Sequence, residues 1–121
     1  MSETTPSPGL EREDFGDVTV ARVQIPMLWS DGTTEALFDR FYALVDEAGR
    51  ARLVLNLDRV TFLASAALGK LVMLLRKVQA AGGRLTLCKV HPTIEEILHK
   101  THLADVMLLY PDERAAVQSF G

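Results

Sequence analysis

The chain has 121 residues, of which 48% are apolar and 24% are charged, and its formal net charge is −3. This composition is typical of one soluble globular domain, and mild acidity with scattered basic residues argues against nucleic-acid binding. The single cysteine, Cys88, excludes an internal disulfide framework. No apolar stretch reaches membrane-spanning length without a charge or a break, so we expect a cytoplasmic protein with no membrane span.

The N-terminal region divides into a tail and a hairpin. Residues 1–9 are small, polar and interrupted by proline, which predicts a disordered tail, and residues 10–121 are expected to form one domain. Two short runs, 10–14 and 17–24, flank Phe15-Gly16. Their composition predicts an N-terminal β-hairpin.

Strand-like and helix-like segments alternate through the rest of the chain. Apolar residues at helical spacing predict a helix over 33–48, and the continuous apolar run at 52–58 predicts a central strand covered on both faces. Further elements are expected at 65–81 (helix), 84–90 (strand), 92–100 (helix), 106–110 (strand) and 111–119 (helix). This alternation predicts an α/β fold, with a mostly parallel mixed sheet flanked by helices.

Ser65 lies between the central strand and the longest helix, in the run Phe62-Leu63-Ala64-Ser65-Ala66-Ala67-Leu68-Gly69. A helix start presents unpaired N–H groups and a partial positive charge, so it suits an acceptor oxygen or an anion. Two interpretations follow. Ser65 caps the helix and is structural, or it is a position where phosphate is attached and recognised. The small alanines beside it leave the hydroxyl accessible to a partner protein.

Other chemical interpretations of the chain are weaker. A nucleophile elbow requires Gly-x-Ser-x-Gly, whereas Leu63 and Ala67 occupy the two glycine positions. No phosphate-binding glycine motif is present, so we expect no cofactor. Three histidines and one glutamate invite a metal interpretation, but no fourth ligand is evident and we expect no metal site. These metal candidates are His91, His99, His102 and Glu95.

In their order, these segments resemble the STAS domain, the fold of bacterial anti-sigma factor antagonists. The family pattern is an apolar strand, Val-x-Phe-hydrophobic-Asp-Ser-Ser-Gly-Leu-Gly, a helix, Gly-Gly and another apolar strand. It is similar to residues 60–69 and 81–88 of this chain, and residues 98–103 resemble a later family element. The resemblance covers residues 15–120.

The resemblance implies a non-enzymatic regulator of transcription that binds an anti-sigma factor with serine kinase activity. In this family the kinase phosphorylates the serine that corresponds to Ser65, the unphosphorylated antagonist frees the sigma factor, and a phosphatase resets the cycle. The expected partner-binding residues lie around that serine and before the first long helix: Trp29, Asp31, Ala64, Ser65, Ala66 and Leu68. For Trp29 the expectation rests on the enrichment of tryptophan at binding hot spots, and partly buried packing is the alternative.

Several positions depart from the family pattern. Ala64 replaces the acid before the serine, Ala66 replaces a second serine, and Asn56 stands where the central strand often ends in an acid. Trp29 replaces another acid. Partner binding is therefore better supported than phosphorylation. Two alternatives stay open: a STAS-like scaffold or transport-associated binding subunit in which Ser65 is structural, and a small hydrolase using Ser65, which we do not expect.

Overall fold

The computed structural model describes the backbone of residues 3–7 and both backbone and side chains of residues 9–121. Its strands are β1 (Glu3–Ser7), β2 (Leu10–Phe15), β3 (Val18–Val23), β4 (Met27–Leu28), β5 (Arg52–Asn56), β6 (Phe62–Leu63), β7 (Arg84–Cys88) and β8 (Leu108–Tyr110). Its helices are α1 (Gly32–Asp46), α2 (Ser65–Ala80), α3 (Pro92–Lys100) and α4 (Glu113–Gln118), with a short 3-10 helix at Leu103–Asp105.

The main sheet has six strands in the order β1-β2-β3-β5-β7-β8. Strands β1, β2 and β3 are antiparallel neighbours, whereas the pairs β3–β5, β5–β7 and β7–β8 are parallel. The hairpin closes with Phe15 opposite Val18, and Gly16 has a φ of +62° in its turn. The predicted mixed, mostly parallel sheet with an N-terminal hairpin is confirmed.

Strand β1 differs from the disordered tail that the composition predicts. Residues 3–7 pair antiparallel with β2, from Glu3 opposite Asp14 to Ser7 opposite Leu10. Pairing at a sheet edge uses backbone N–H and C=O groups, so it does not require the apolar side chains whose absence motivated the prediction. Residues 1, 2 and 8 of the predicted tail lie outside the described residues.

Both faces of the central strand β5 are buried, as its continuous apolar sequence predicts. Leu53 and Leu55 belong to the main core, which also contains the buried faces of α1, α2 and α3. Val54 points to the opposite face, where it packs with Val20 and Ala116 in a smaller cluster beneath α4. Helices therefore cover both faces of the sheet.

Two predicted boundaries near the C-terminus are wrong. The predicted strand over 106–110 begins only at Leu108, because residues 103–105 form the 3-10 helix and the Met107 N–H donates to the Leu103 carbonyl at 2.8 Å. Helix α4 begins at Glu113 instead of Pro111, because Asp112 provides its N-cap. Among the described helices, none is long and apolar enough to cross a bilayer.

Candidate partner-binding site

Ser65 is the first helical residue of α2, and Ala64 is its N-cap. The prediction that Ser65 caps this helix is therefore wrong. The Ala64 N–H donates to the Leu28 carbonyl at 2.9 Å, which holds Ala64 in an extended conformation (φ −74°, ψ 159°) at the end of β6. An N-cap needs this non-helical conformation, so the cap falls on a residue whose methyl group cannot accept a hydrogen bond.

The start of α2 therefore has no N-cap side chain that can accept a hydrogen bond. Among the side chains of residues 9–121 none caps it, and its first turn contains no acidic residue. The first N–H groups of a helix have no intrahelical acceptor, and the helix dipole adds a partial positive charge there. Ser65 and Ala66 are exposed, and within residues 9–121 the Ser65 hydroxyl has no hydrogen-bond partner. An oxygen acceptor brought to this point would meet free donors.

A second, two-stranded parallel sheet lies beside this helix start. It pairs β4 with β6, Met27 opposite Phe62 and Leu28 opposite Leu63. Leu28 and Leu63 are buried, so the alternation of strand side chains leaves Met27 and Phe62 on the outer side. This sheet was not predicted, because two-residue strands are too short to show an alternating pattern.

The outer side of the small sheet carries an apolar patch formed by Met27, Trp29 and Phe62. The Trp29 and Phe62 ring centroids are 4.3 Å apart with the planes tilted by 38°. Met27, Trp29 and Phe62 remain 46%, 46% and 38% exposed. Neighbouring exposed aromatic side chains are typical of protein–protein contact sites. The patch therefore gives Trp29 the exposed position that a partner-binding role requires. It also adds Phe62, which the sequence analysis did not propose for partner binding although its aromatic side chain lies just before Ser65.

The start of α1 fixes the backbone beneath this patch. The buried Thr34 hydroxyl accepts the Trp29 N–H at 3.0 Å, and the Asp31 carboxylate accepts the Thr34 N–H at 2.9 Å as the α1 N-cap. The hydrogen bond from the Thr34 backbone lowers the pKa of Asp31. Asp31 is exposed, but one of its oxygens is already engaged in capping. Its role is thus structural at least in part.

An open cleft of about 550 Å³ extends the site along α1 and α2. On the α2 side it is lined by Ala66, Gly69 and Met73, which follow one helical face, and on the other side by Ser30. The small side chains of this face allow a partner backbone to approach closely. The cleft also includes Glu35, Tyr42 and Lys70, of which Lys70 lies 3.9 Å from Glu35.

The remaining predicted site residues are less accessible. Leu68 is half-buried and packs against the main core, and Ala64 is half-buried in the connection from β6. Asn56 is turned away from α2: its amide donates to Glu113 at 2.6 Å on the α4 side of the sheet. There Arg22 also binds Glu113, Glu11 and Glu13 at 2.6 to 2.8 Å. The structure thus brings together Ser65 and Ala66 at the start of α2, and Trp29 with Phe62 beside it.

Histidines and acids do not assemble a reactive centre in the described part of the chain. His91 Nε2 lies 2.6 Å from the Asp58 carbonyl, and His102 lies 3.4 Å from Asp105 on an exposed turn. Within residues 9–121, no group of three or more such side chains is placed to hold a metal ion. The unbonded Ser65 hydroxyl likewise has no histidine or carboxylate to activate it among these residues.

Comparison with known proteins matches this fold to a family. A model of the STAS domain matches residues 11–116. An anti-sigma factor antagonist from Mycobacterium paratuberculosis is 26% identical, with 98% of this chain and 93% of that chain covered and a TM-score of 0.75. Bacillus SpoIIAA in its phosphorylated form is 19% identical, with 93% and 99% covered and a TM-score of 0.73.

A larger protein also contains this fold. The structure of the murine anion transporter Slc26a9 is 15% identical over 87% of this chain and 18% of that chain, with a TM-score of 0.71. The two structures below 25% identity establish likeness of fold. The family match, which covers most of the chain, establishes more: this chain belongs to the STAS domain family.

Proposed function

We propose that this protein is an anti-sigma factor antagonist that binds an anti-sigma factor with serine kinase activity at the start of α2. The observation that carries the proposal is the exposed Ser65 hydroxyl, which within residues 9–121 has no hydrogen-bond partner and lies at a helix start without a side-chain cap. The apolar patch beside it supplies the contact area, and membership of the STAS family supports the class of partner. Such a role requires no catalysis by this chain and places it in the cytoplasm.

The geometry suits a partner that buries the patch and rests on α2. The paired rings of Trp29 and Phe62 form an anchor that is already ordered, which reduces the side-chain entropy lost on binding. Ala66 and Gly69 allow a partner backbone close to the helix. Asp31 and Leu68 contribute by holding Trp29 and the first turn of α2 in place, in addition to any direct contact.

Phosphorylation of Ser65 would switch this interface. A phosphoserine carries about −1.5 to −2 charges at neutral pH and accepts hydrogen bonds strongly, so it suits the free N–H groups of the first turn. The same charge is unfavourable against a partner that docks on an apolar patch. Ala64, which stands in place of the family's acid, removes a negative charge that would repel the phosphate. A phosphatase would restore the binding form.

Incubation with a serine kinase of the anti-sigma factor class, sought among the neighbouring genes, tests both halves of this proposal. We expect a stable complex, and in the presence of ATP we expect mass spectrometry to find phosphate on Ser65. Ser65→Ala should abolish labelling, whereas Thr93→Ala, which removes an exposed hydroxyl at the start of α3, should not. A complex without phosphate on Ser65 retains partner binding and discards the switch, and absence of any complex discards both.

A transport-associated or scaffold subunit is the second candidate, favoured by the similarity of fold to part of an anion transporter. In that case Ser65 is not phosphorylated, and the protein binds a membrane protein or assembly in place of a kinase. Transporter genes beside this gene, with partner affinity unaffected by Ser65→Ala, would favour this candidate. Hydrolase activity is not expected from either candidate, and turnover of ester substrates lost in Ser65→Ala would contradict both.

A further inference from the structure

Two arginines lie side by side at the opposite end of the sheet from Ser65. Arg52 and Arg84 are the first residues of β5 and β7 and are direct partners in the parallel register. Paired residues of neighbouring strands share a face of the sheet, and like charges at such positions repel each other. In the described part of the chain, neither guanidinium forms an ion pair. This uncompensated pair requires a physical explanation.

The contacts of the Arg84 side chain are made with neutral groups. Its Nη2 donates to the Ser119 carbonyl and, at 3.2 Å, to the Ser119 hydroxyl, and its guanidinium lies 4.5 Å from the Phe120 ring centroid. These contacts hold the side chain against the end of α4 without neutralising its charge. Its Nε–H is buried and has no hydrogen-bond partner within residues 9–121. A buried donor without a partner is unusual in folded proteins and costs stability.

The two arginines line a cleft of about 240 Å³ that contains no carboxylate side chain in its described lining. The other side of the cleft is the turn after α2. There Gly83 packs so closely that a Cβ atom would lie 1.9 Å from the Ala51 carbonyl oxygen. Arg52 also lines an adjoining cleft together with Asp17 and Arg50, and the Asp17 carboxylate makes no ion pair with Arg52 within the described residues. Arg50 is engaged elsewhere, since its guanidinium donates to the Gly16 carbonyl at 2.7 Å and to Thr19 at 2.8 Å.

We propose that this cleft binds an oxyanion of the phosphate type, free or as a phosphomonoester, between Arg52 and Arg84. A phosphate offers the charge and the several acceptor oxygens that two guanidiniums recognise. It would offset the repulsion between the paired residues. The site is independent of the proposed partner site, because α2 has 16 residues and separates its start at Ser65 from the Gly82-Gly83 turn by about 24 Å.

Phosphate titration of the full chain tests the site by NMR at the arginine Nε–H groups. Inorganic phosphate is added at constant ionic strength with sodium chloride as the balance. We expect saturable shifts of the Arg52 and Arg84 Nε–H resonances, with affinity at least about tenfold weaker in Arg52→Gln, because one charge-assisted contact is lost. Arg52→Gln leaves the Arg84–Ser119 contacts in place. Arg76→Gln, which removes an exposed arginine from α2, is the matched control and should bind as the unaltered chain does.

A second titration with O-phosphoserine distinguishes a phosphomonoester ligand from free phosphate. Tighter binding than inorganic phosphate indicates a phosphomonoester ligand, and equal or weaker binding indicates the free ion. Shifts that rise linearly without saturation, or that saturate equally in Arg52→Gln and Arg76→Gln, would overturn the proposal. Because Ser65 takes no part in this experiment, its result is separate from that of the kinase experiment.

Discussion

Two kinds of helix start occur among the four helices of the described chain. Helices α1 and α4 begin behind aspartates: Asp31 accepts the Thr34 N–H at 2.9 Å and Asp112 accepts the Ala115 N–H at 2.8 Å. Helices α2 and α3 begin behind Ala64 and His91, neither of which makes a side-chain capping bond. The capped starts of α1 and α4 therefore contribute to stability, whereas the starts of α2 and α3 have no N-cap side chain that accepts a backbone N–H.

The two uncapped starts also differ from each other. Helix α3 has Pro92 at its first position, which has no N–H to satisfy. Helix α2 has Ser65 at that position, and serine, unlike proline, has a backbone N–H. All the N–H groups of its first turn are therefore present, and its N-cap residue provides no side-chain acceptor for them. Helix α2 tolerates this because its stability comes from its buried face. We infer that the open start of α2 is kept for an external acceptor.

Truncating the buried face of α2 should have the largest effect. Leu71→Ala and Leu75→Ala should each lower the free energy of unfolding by about 2–5 kcal/mol, because Leu71 and Leu75 are 3% and 6% exposed in the main core. Urea denaturation measures the loss. Met73→Ala, on the exposed side of the same helix, should change stability by no more than about 0.5 kcal/mol. Similar losses in all three variants would show that α2 does not depend on one buried face.

Removing an aspartate cap should have an intermediate effect. Asp112→Ala should lower the free energy of unfolding by about 1 kcal/mol, because the Ala115 N–H loses its acceptor. Asp31→Ala should act in the same direction at α1. Ser65→Ala is the matched control and should cause no loss, since Ser65 makes no capping bond. If thermal melts showed Ser65→Ala to be as destabilising as Asp112→Ala, the distinction between the two kinds of start would be wrong.

Acid should weaken the attachment of α4 more than that of α2. The hydrogen bond from Arg22, aided by that from Asn56, lowers the pKa of Glu113 against the opposing effect of burial. A lowered folded-state pKa means that the stabilisation is present above the unfolded-state pKa, about 4.3, and is lost as the pH falls through the folded value.

Denaturation at a series of pH values checks this sign. Glu113→Gln should be less stable than the unaltered chain at neutral pH, and the difference should shrink below about pH 4. Glu95→Gln, which alters an exposed glutamate of α3 that has no ion pair within residues 9–121, is the control and should change the free energy of unfolding at neutral pH by no more than about 0.5 kcal/mol. If the difference in free energy of unfolding between Glu113→Gln and the unaltered chain did not change with pH, the ionisation of Glu113 would not be linked to folding.

The fold could be predicted from the sequence where hydrophobic periodicity is long. Helix α2 and strand β5 each have enough apolar residues to define their periods, and their predicted positions agree with the structure within about two residues. Short elements could not be predicted in this way. The strands β4 and β6 have two residues each and are defined by pairing with each other across the fold. Strand β1 forms through backbone bonds to β2, which composition does not record.

The candidate site was predicted in its position and not in its geometry. The sequence predicts that Ser65 lies at a strand-to-helix junction, but a shift of one position in the helix start determines whether a serine caps the helix or is its first residue. The hydrogen bond from the Ala64 N–H to the Leu28 carbonyl, between residues 36 positions apart, fixes that start. The pairing of Trp29 with Phe62 depends on the same small sheet. Long-range backbone pairing was therefore the missing information.

Placing an acid at the open start of α2 should have the smallest effect on stability and a distinct effect on binding. Ser65→Asp should leave the fold intact and raise the free energy of unfolding by about 0.3–1 kcal/mol, because a negative charge interacts favourably with the helix dipole. Ser65→Asn, of nearly the same shape and without the charge, is the control.

Calorimetric titration with the anti-sigma factor kinase of the labelling experiment then separates stability from recognition. We expect Ser65→Asp to bind at least about tenfold more weakly than Ser65→Asn, because the partner would have to bury a charge against the apolar patch. Equal affinities would mean that the partner docks away from Ser65. If Ser65→Asp lowered the free energy of unfolding and Ser65→Asn did not, this helix start would not be electropositive. The missing cap would then be explained by packing against β4 and not by recognition of a partner.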